Sequence, residues 1–216
     1  MSKSTEANTA PRSRRVVCKF PSVKLGRTVH VGSLLTRDLL YLLDFDPQVE
    51  SYTEITPQIR YVHSNKHLVF TFDLLIKRDG VVQLAKVVSK NKPCDTQDQL
   101  YRSVGFACRR AGYEFVIFTE ETIRAQPRLN NLKILTRYAR LQIEPQHRLT
   151  YHRFFLSVQS AAVGELMAFF KAEGLEPQVV WTMVYHGLIA VVDLSVPFTP
   201  ETIVRPPHDA VARKVS

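Results

Sequence analysis

The sequence predicts an α/β protein: a core on a mixed sheet, followed by a smaller helix-rich unit. Three observations carry this. Residues 72–90, FDLLIKRDGVVQLAKVVSK, place Arg78-Asp79-Gly80 between two apolar runs, and Asp-Gly in that setting is a strong hairpin signal. Around this hairpin the chain alternates helix, strands, helix, strand and helices, the order of an α/β core. After Glu144-Pro145 the composition changes, and two short helices precede a pair of apolar strands.

The first 20 residues, rich in Ser, Thr, Pro and Arg, read as a mobile basic arm. The stretch 20–31 reads as a loop entering the fold. In GSLLTRDLLYLLDFDP, Ser33 suits an N-cap, Leu35, Leu39, Leu42 and Leu43 recur at helical spacing, and Pro47 ends the helix. Thr36 stands three residues after the cap, where a Glu would complete a capping box. A strand over 49–52 is interrupted at Thr56-Pro57 and resumes over 58–62, and a polar turn separates it from residues 68–72. His63 and His67 flank that turn and read as solvated loop histidines, not as a metal pair. Within the hairpin, one acid (Asp73) sits on the first strand and one base (Lys86) on the second.

Asp95 or Thr96 caps the next helix, which turns Leu100, Val104 and Ala107 or Cys108 inward, leaves Arg102, Arg109 and Arg110 outside, and ends at Gly112. Residues 113–118 form a buried-type strand. Thr119 starts a short helix closed by Pro127, and Asn130 or Asn131 caps another that holds Leu132, Leu135 and Tyr138. Ser160 caps a helix over 161–172, with Val163, Leu166, Met167 and Phe170 on one stripe. Pro177 opens a further helix through Tyr185, with Trp181 in the core and His186 as a C-terminal cap. A strand over 188–194 and a loop holding Thr199 and Val204 complete a winged-helix pattern.

Composition narrows the function classes. The 216 residues are 45% hydrophobic and 23% charged, which describes a folded chain of one large domain or two small ones. No apolar run approaches the roughly 20 residues of a membrane span, and MSKSTEANTAPRSRR lacks the apolar segment of a signal peptide. Cys18, Cys94 and Cys108 lack metal-ligand spacing and read as reduced thiols. The net charge of +9 divides into +4 over residues 1–20, +5 over 21–146 and zero over 147–216. Basic charge over the first two-thirds suits a phosphate backbone, while the neutral remainder suits a protein partner. No Ser or Cys sits in a nucleophile elbow, so no catalytic triad is indicated.

Several stretches together resemble the TnsA family, the endonuclease subunit of heteromeric cut-and-paste transposases. They are FPSVKLGR, SLLTRDLLYLLDFDPQVESY, the hairpin, GYEFVIFTEETIRAQPRLNNLKILTRY and WTMVYHGLIAVVDLSVPFTPETIV. The resemblance covers most of residues 20–205. It implies an α/β fold with a restriction-endonuclease-like (PD-(D/E)XK) core over residues 21–146 and a carboxy-terminal winged-helix-like domain over 147–205. A disordered basic arm, 1–20, and a disordered tail, 206–216, flank them. It also implies a cytoplasmic, nucleoid-associated bacterial protein that cuts transposon 5′ ends with Mg. The partners so implied are double-stranded DNA, a DDE transposase subunit that handles the 3′ ends, and an AAA+ ATPase contacted by the carboxy-terminal domain.

The family's chemistry needs a Glu in the first helix, an Asp on the first hairpin strand, and Glu- or Gln-X-Lys on the second. Here Thr36 stands in place of the Glu, Asp73 matches the Asp, Lys86 replaces the acid and Val88 replaces the Lys. One carboxylate beside an ammonium repels Mg more than it binds it, so no cofactor is expected, and any metal would fall to Asp73. Asp73 opposite Lys86 is instead expected to form a cross-strand ion pair. Lys90 is the possible substitute for the missing Lys. Asp38 is two residues from the missing Glu, about 200° around a helix of roughly 3.6 residues per turn, and so faces away from Asp73.

The leading expectation is a TnsA-like subunit that no longer cuts and serves in transposon-end binding and complex assembly, with Lys24, Arg27, Lys90, Lys92, Arg102, Arg109 and Arg110 facing DNA. The alternatives are an active Mg-dependent endonuclease with a migrated site and a regulator of the AAA+ ATPase that does not bind DNA.

Overall fold

A computed structural model describes residues 17–63, 66–89 and 95–207. Lys90, Lys92, Cys94, the arm up to residue 16 and the tail from residue 208 lie outside the described residues, as do the side chains of His63, Asp95 and Thr96. None of the described helices is long and apolar enough to cross a membrane.

The chain enters on a hairpin where a loop is expected. β1 (Cys18–Pro21) pairs antiparallel with β2 (Thr28–Val31), and Cys18, Phe20, Val29 and Val31 face the core in strict alternation. Cys18, Lys19 and Phe20 of β1 fall in the stretch read as an arm. Four-residue strands around a Lys24-Leu25-Gly26-Arg27 loop are too short for a clear period-two signal, which is why the sequence reads as a loop.

α1 (Leu34–Phe45) is capped as expected, with Ser33 Oγ accepting from the Thr36 amide at 2.9 Å. β3 (Val49–Thr53) follows. β4 (Ile59–His63) does not resume it: β4 pairs with β5 (Lys66–Phe70) in a separate hairpin. β6 (Leu74–Arg78) and β7 (Val81–Val88) form the Asp-Gly hairpin. Asp79 (φ 46°) and Gly80 (φ 78°) both adopt the left-handed backbone, as a type I′ turn requires.

After α2 (Asp95–Arg110) comes β8 (Glu114–Thr119), which lies parallel to β7 and completes a mixed sheet of order β3-β6-β7-β8. As an edge strand, β8 leaves every second or third residue exposed, so it is not the fully buried strand the sequence suggests. Alternation sorts the sheet's two faces. Leu74, Ile76 and Ala85 pack with α1 and the β1–β2 hairpin, while Leu84 and Leu75 pack with α2 and the β4–β5 hairpin.

α3 (Glu120–Ile123) leads to α4 (Arg128–Tyr138), which begins at Pro127 without a side-chain cap. Asn131 is therefore not a cap. It is buried inside the helix, where its amide donates to the Leu194 and Val196 carbonyls (3.0 and 2.7 Å) and accepts from the Phe198 amide at 3.3 Å. α5 (Pro145–Phe155) has no counterpart in the sequence reading, because only His147, Thr150 and Tyr151 of it are buried. Its start was nonetheless encoded: Glu144 and His147 form a reciprocal capping box ahead of Pro145.

Next, β9 (Ala161–Ala162) stands where a helix start is expected, so Ser160 does not cap α6 (Val163–Ala172). α7 (Val179–Tyr185) precedes β10 (Ala190–Val191) and β11 (Ile203–Arg205), in a small sheet of order β10-β11-β9. Gly164 donates to the Pro200 carbonyl at 2.8 Å, and a Cβ there would lie 2.9 Å from that oxygen, so this crossing of α6 and the β10–β11 loop requires glycine.

The apolar cluster of the carboxy-terminal unit takes in Leu132 and Leu135 of α4 and Ala139 just beyond its end, and residue 146 lies within α5, so this cluster draws on both units. At the junction is Asp44, a buried carboxylate near the end of α1. It accepts from Ser22 Oγ, the Val23 amide (3.0 Å), Tyr52 Oη (2.6 Å) and Tyr185 Oη (2.6 Å). Replacing Asp44 with Ala is expected to destabilise the fold by at least about 3 kcal/mol in urea titration, since each stranded buried donor costs about 1–3 kcal/mol.

Burial, reinforced by Asp44, raises the hydroxyl pKa values of Tyr52 and Tyr185 far above the usual range. Unfolded tyrosines ionise near pH 10, at roughly their ordinary value. Above that pH the folded state therefore holds more protons, and these groups make stability fall as pH rises. Lys24, whose pKa burial lowers, works in the opposite direction at lower pH, where its ammonium is still protonated in the unfolded chain, and no longer contributes once the pH has passed its ordinary value. The Tyr52→Phe/Tyr185→Phe variant should accordingly show a flatter decline in melting temperature above about pH 10 than the wild type.

Candidate functional site

The site is built on the β6–β7 hairpin, whose register pairs Leu74 with Ala85. One step outward, the Asp73 amide donates to the Ala85 carbonyl at 2.9 Å, which sets Asp73 across from Lys86 just before β6 begins. The Lys86 ammonium lies 3.1 Å from Asp73 Oδ2, and the same oxygen accepts from the Val87 amide at 2.8 Å. Both side chains are about 30% exposed. This is the cross-strand pair expected from the sequence.

Both residues lie on the α2 face of the sheet, over an aromatic wall. Lys86 Nζ is 5.9 Å from the Phe70 ring centre, within cation–π reach. Phe70, Phe72, Tyr101 and Phe115 meet largely edge to face at 5.0–6.3 Å. Burial, and then the Asp73 charge, raise the Tyr101 pKa, so this phenol keeps its proton.

The other motif positions are not brought into this group. Thr36 is buried at the start of α1, its hydroxyl 2.8 Å from Ser33. Val88 is half-buried in parallel register with Thr119. Asp38 is held elsewhere, with Arg124 Nε at 2.9 Å and Lys133 Nζ at 3.0 Å. Arg124 also binds Glu120 (2.6 Å), which accepts from Ser89 at 2.9 Å.

Mg requires oxygen ligands that are free to turn toward it, usually with two carboxylates in such a site. Here one carboxylate shares an oxygen with an ammonium, and no group of three His, Cys, Asp or Glu side chains clusters among the described residues. These residues do not fit Mg. Neither thiol among the described residues is an exposed nucleophile: Cys18 and Cys108 are free but buried, and burial pushes Cys108 up to about 11.

The basic residues expected to face DNA divide. Lys24 is half-buried, and its ammonium donates to the Asp46 and Val49 carbonyls; it closes the end of α1 instead of projecting outward. Arg27 is clamped on Glu54 by two bonds, at 3.2 and 3.0 Å. Arg102, Arg109 and Arg110 are exposed on one face of α2. Two neighbours missed in the sequence join them: Arg60, exposed on β4 between buried Ile59 and Tyr61, and Phe106, 63% exposed one helical turn from Arg102. Strand alternation about Arg60 and the four-residue spacing of Phe106 were the available signals.

No family profile and no curated protein matches the chain. For the hairpin pair, Lys86→Ala is expected to cost no more than about 1 kcal/mol, and less in high salt, as a half-exposed ion pair should. Asp73→Ala should cost about 1 kcal/mol more, because the Val87 amide also loses its acceptor. Denaturant titrations at low and high salt check both values.

Proposed function

We propose that this chain is a TnsA-like subunit of a DNA transposition complex that binds transposon-end DNA and supports assembly without cutting. The observation that carries the reading is the Asp73–Lys86 pair: an internal cation occupies the place where a second carboxylate and a metal would act. Two features of the architecture support the ancestry. A helix, three antiparallel strands, a second helix and a fourth strand parallel to the third match the order of a restriction-endonuclease-like core. α5, β9, α6, α7, β10 and β11, with β11 central in its sheet, follow the plan of a winged-helix-like unit. In this reading, a DDE transposase subunit and an AAA+ ATPase are the partners.

The reading separates binding from cleavage. With supercoiled DNA and Mg or Mn, the wild type and Asp73→Ala are expected to be equally inert, while both bind duplex with strong salt dependence. Nicking by the wild type that Asp73→Ala abolishes would overturn it. The variant Lys86→Glu/Val88→Lys sets two carboxylates across the hairpin. It is expected to melt below the wild type in EDTA and to recover when Mn is added, because the repelling pair then gains a cation to share.

A further inference from the structure

We propose that duplex DNA is held by the exposed face of α2 and the adjoining β4 strand, and not by the carboxy-terminal helix pair. The inference rests on the DNA-binding function proposed above and assigns it a surface. A helix-turn-helix pair reads DNA by laying its second helix in the major groove. Here that helix is α7, and Val179, Val180, Thr182, Met183, Val184 and Tyr185 are all buried. Thr182 donates to the Tyr138 carbonyl at 2.8 Å, His186 Nε2 is 2.9 Å from the Ala139 carbonyl, and Tyr185 reaches Asp44. The β10–β11 loop is folded back as well, tied by Asn131 and by Phe198 stacked on Trp181 at 4.8 Å. Both elements are fastened to α4, so neither can enter a groove without unfolding the junction.

The α2 face has the opposite character. Arg102 and Phe106 form a ridge between two open grooves. One, about 720 Å³, is shared with Arg60 and Arg110; the other, about 550 Å³, is shared with Arg109. Among the described residues, none of these four arginines is paired with a carboxylate, whereas Arg27, Arg78, Arg124 and Arg153 all are. Asp98 lines the second groove, and Glu114 lies with Arg109 in a neighbouring hollow, where it is engaged by the Gln83 amide at 2.6 Å. Unpaired guanidinium groups are suited to grip phosphate in a forked geometry. Arg102 and Arg110 are about 12 Å apart along the helix at roughly 1.5 Å per residue, close to the width of about 12 Å of a major groove. The two ends thus reach phosphates on opposite rims, with Phe106 between them for apolar contact of the kind made to thymine methyl groups.

Fluorescence anisotropy of the full chain with a labelled duplex tests this. Arg60→Ala/Arg102→Ala/Arg110→Ala is expected to weaken binding at least about tenfold and to lower the slope of log affinity against log salt by about 2–3, near 0.9 per phosphate contact. Arg148→Ala, on exposed α5, should leave affinity and slope as in the wild type, and thermal melting should confirm that all variants fold alike. Wild-type affinity and slope in the triple variant would overturn the location and leave the proposed function standing. Failure of the wild type to bind duplex at any salt concentration would overturn both. Displacement of the duplex by poly-glutamate of equal charge, as readily as by unlabelled duplex, would make the face a site for an acidic protein and overturn the proposal.

Discussion

The Asp44 carboxylate is the constraint from which the arrangement of the two units follows. A buried ionised carboxylate is costly unless its lone pairs are filled. Its donors come from the loop after β1, from β3 and from α7. Those segments are distant in sequence, so the charge is satisfied only when the amino-terminal hairpin, the sheet and the carboxy-terminal helix have all assembled. The requirement extends to Lys24, which neighbours the same carboxylate and closes the last turn of α1 through the Asp46 and Val49 carbonyls, where a cation complements the helix dipole. Burying α7 against α4 is the other side of the same constraint: the helix that completes the Asp44 cage cannot also project from the surface.

How much of this was legible in the sequence depends on the range of the interaction that sets each element. The Asp79-Gly80 turn, the Ser33 cap and the Gly112 end of α2 are local, and each was readable. The β1–β2 hairpin, β9 and α5 were not. The strands are short and make sense only once Phe20 and Val29 meet their partners in the core and Ala161 pairs with the buried Val204, and α5 turns mainly polar side chains inward. Asn131 shows the difference most clearly. An Asn near a helix start is ordinarily a cap, but this one sits inside the helix because carbonyls more than 60 residues away supply its partners.

At the candidate site, the residues were legible and so was their pairing, because strand register fixes which side chains face each other. Asp73 and Lys86 follow from the turn position alone. Their consequence is structural as well as chemical. Two carboxylates facing across a hairpin repel unless a cation lies between them, so a metal-dependent hairpin is completed by its metal. With Lys86 as the built-in cation, the end of this hairpin is electrically satisfied by its own chain. The environment agrees: the Lys86 ammonium lies 5.9 Å from the Phe70 ring centre, within cation–π reach, on an aromatic wall that would not suit a hydrated metal.

The same logic of internal pairing accounts for where the positive charge is felt. A net charge of +9 says nothing about direction until the engaged cations are set aside. Lys24, Arg27, Lys77, Arg78, Lys86, Arg124, Lys133 and Arg153 are all held by carboxylates or carbonyls within the fold, and their fields are largely cancelled at short range. Among the described residues, the arginines of α2 and β4 have no such carboxylate partners, and they share one face. Charge that is uncompensated locally projects over about a Debye length, and on the proposed reading it is this face, and not the chain average, that a duplex would meet first. The sequence supplied the arginines of α2, but only the three-dimensional list of which bases are already engaged distinguishes them from Lys24 and Arg27.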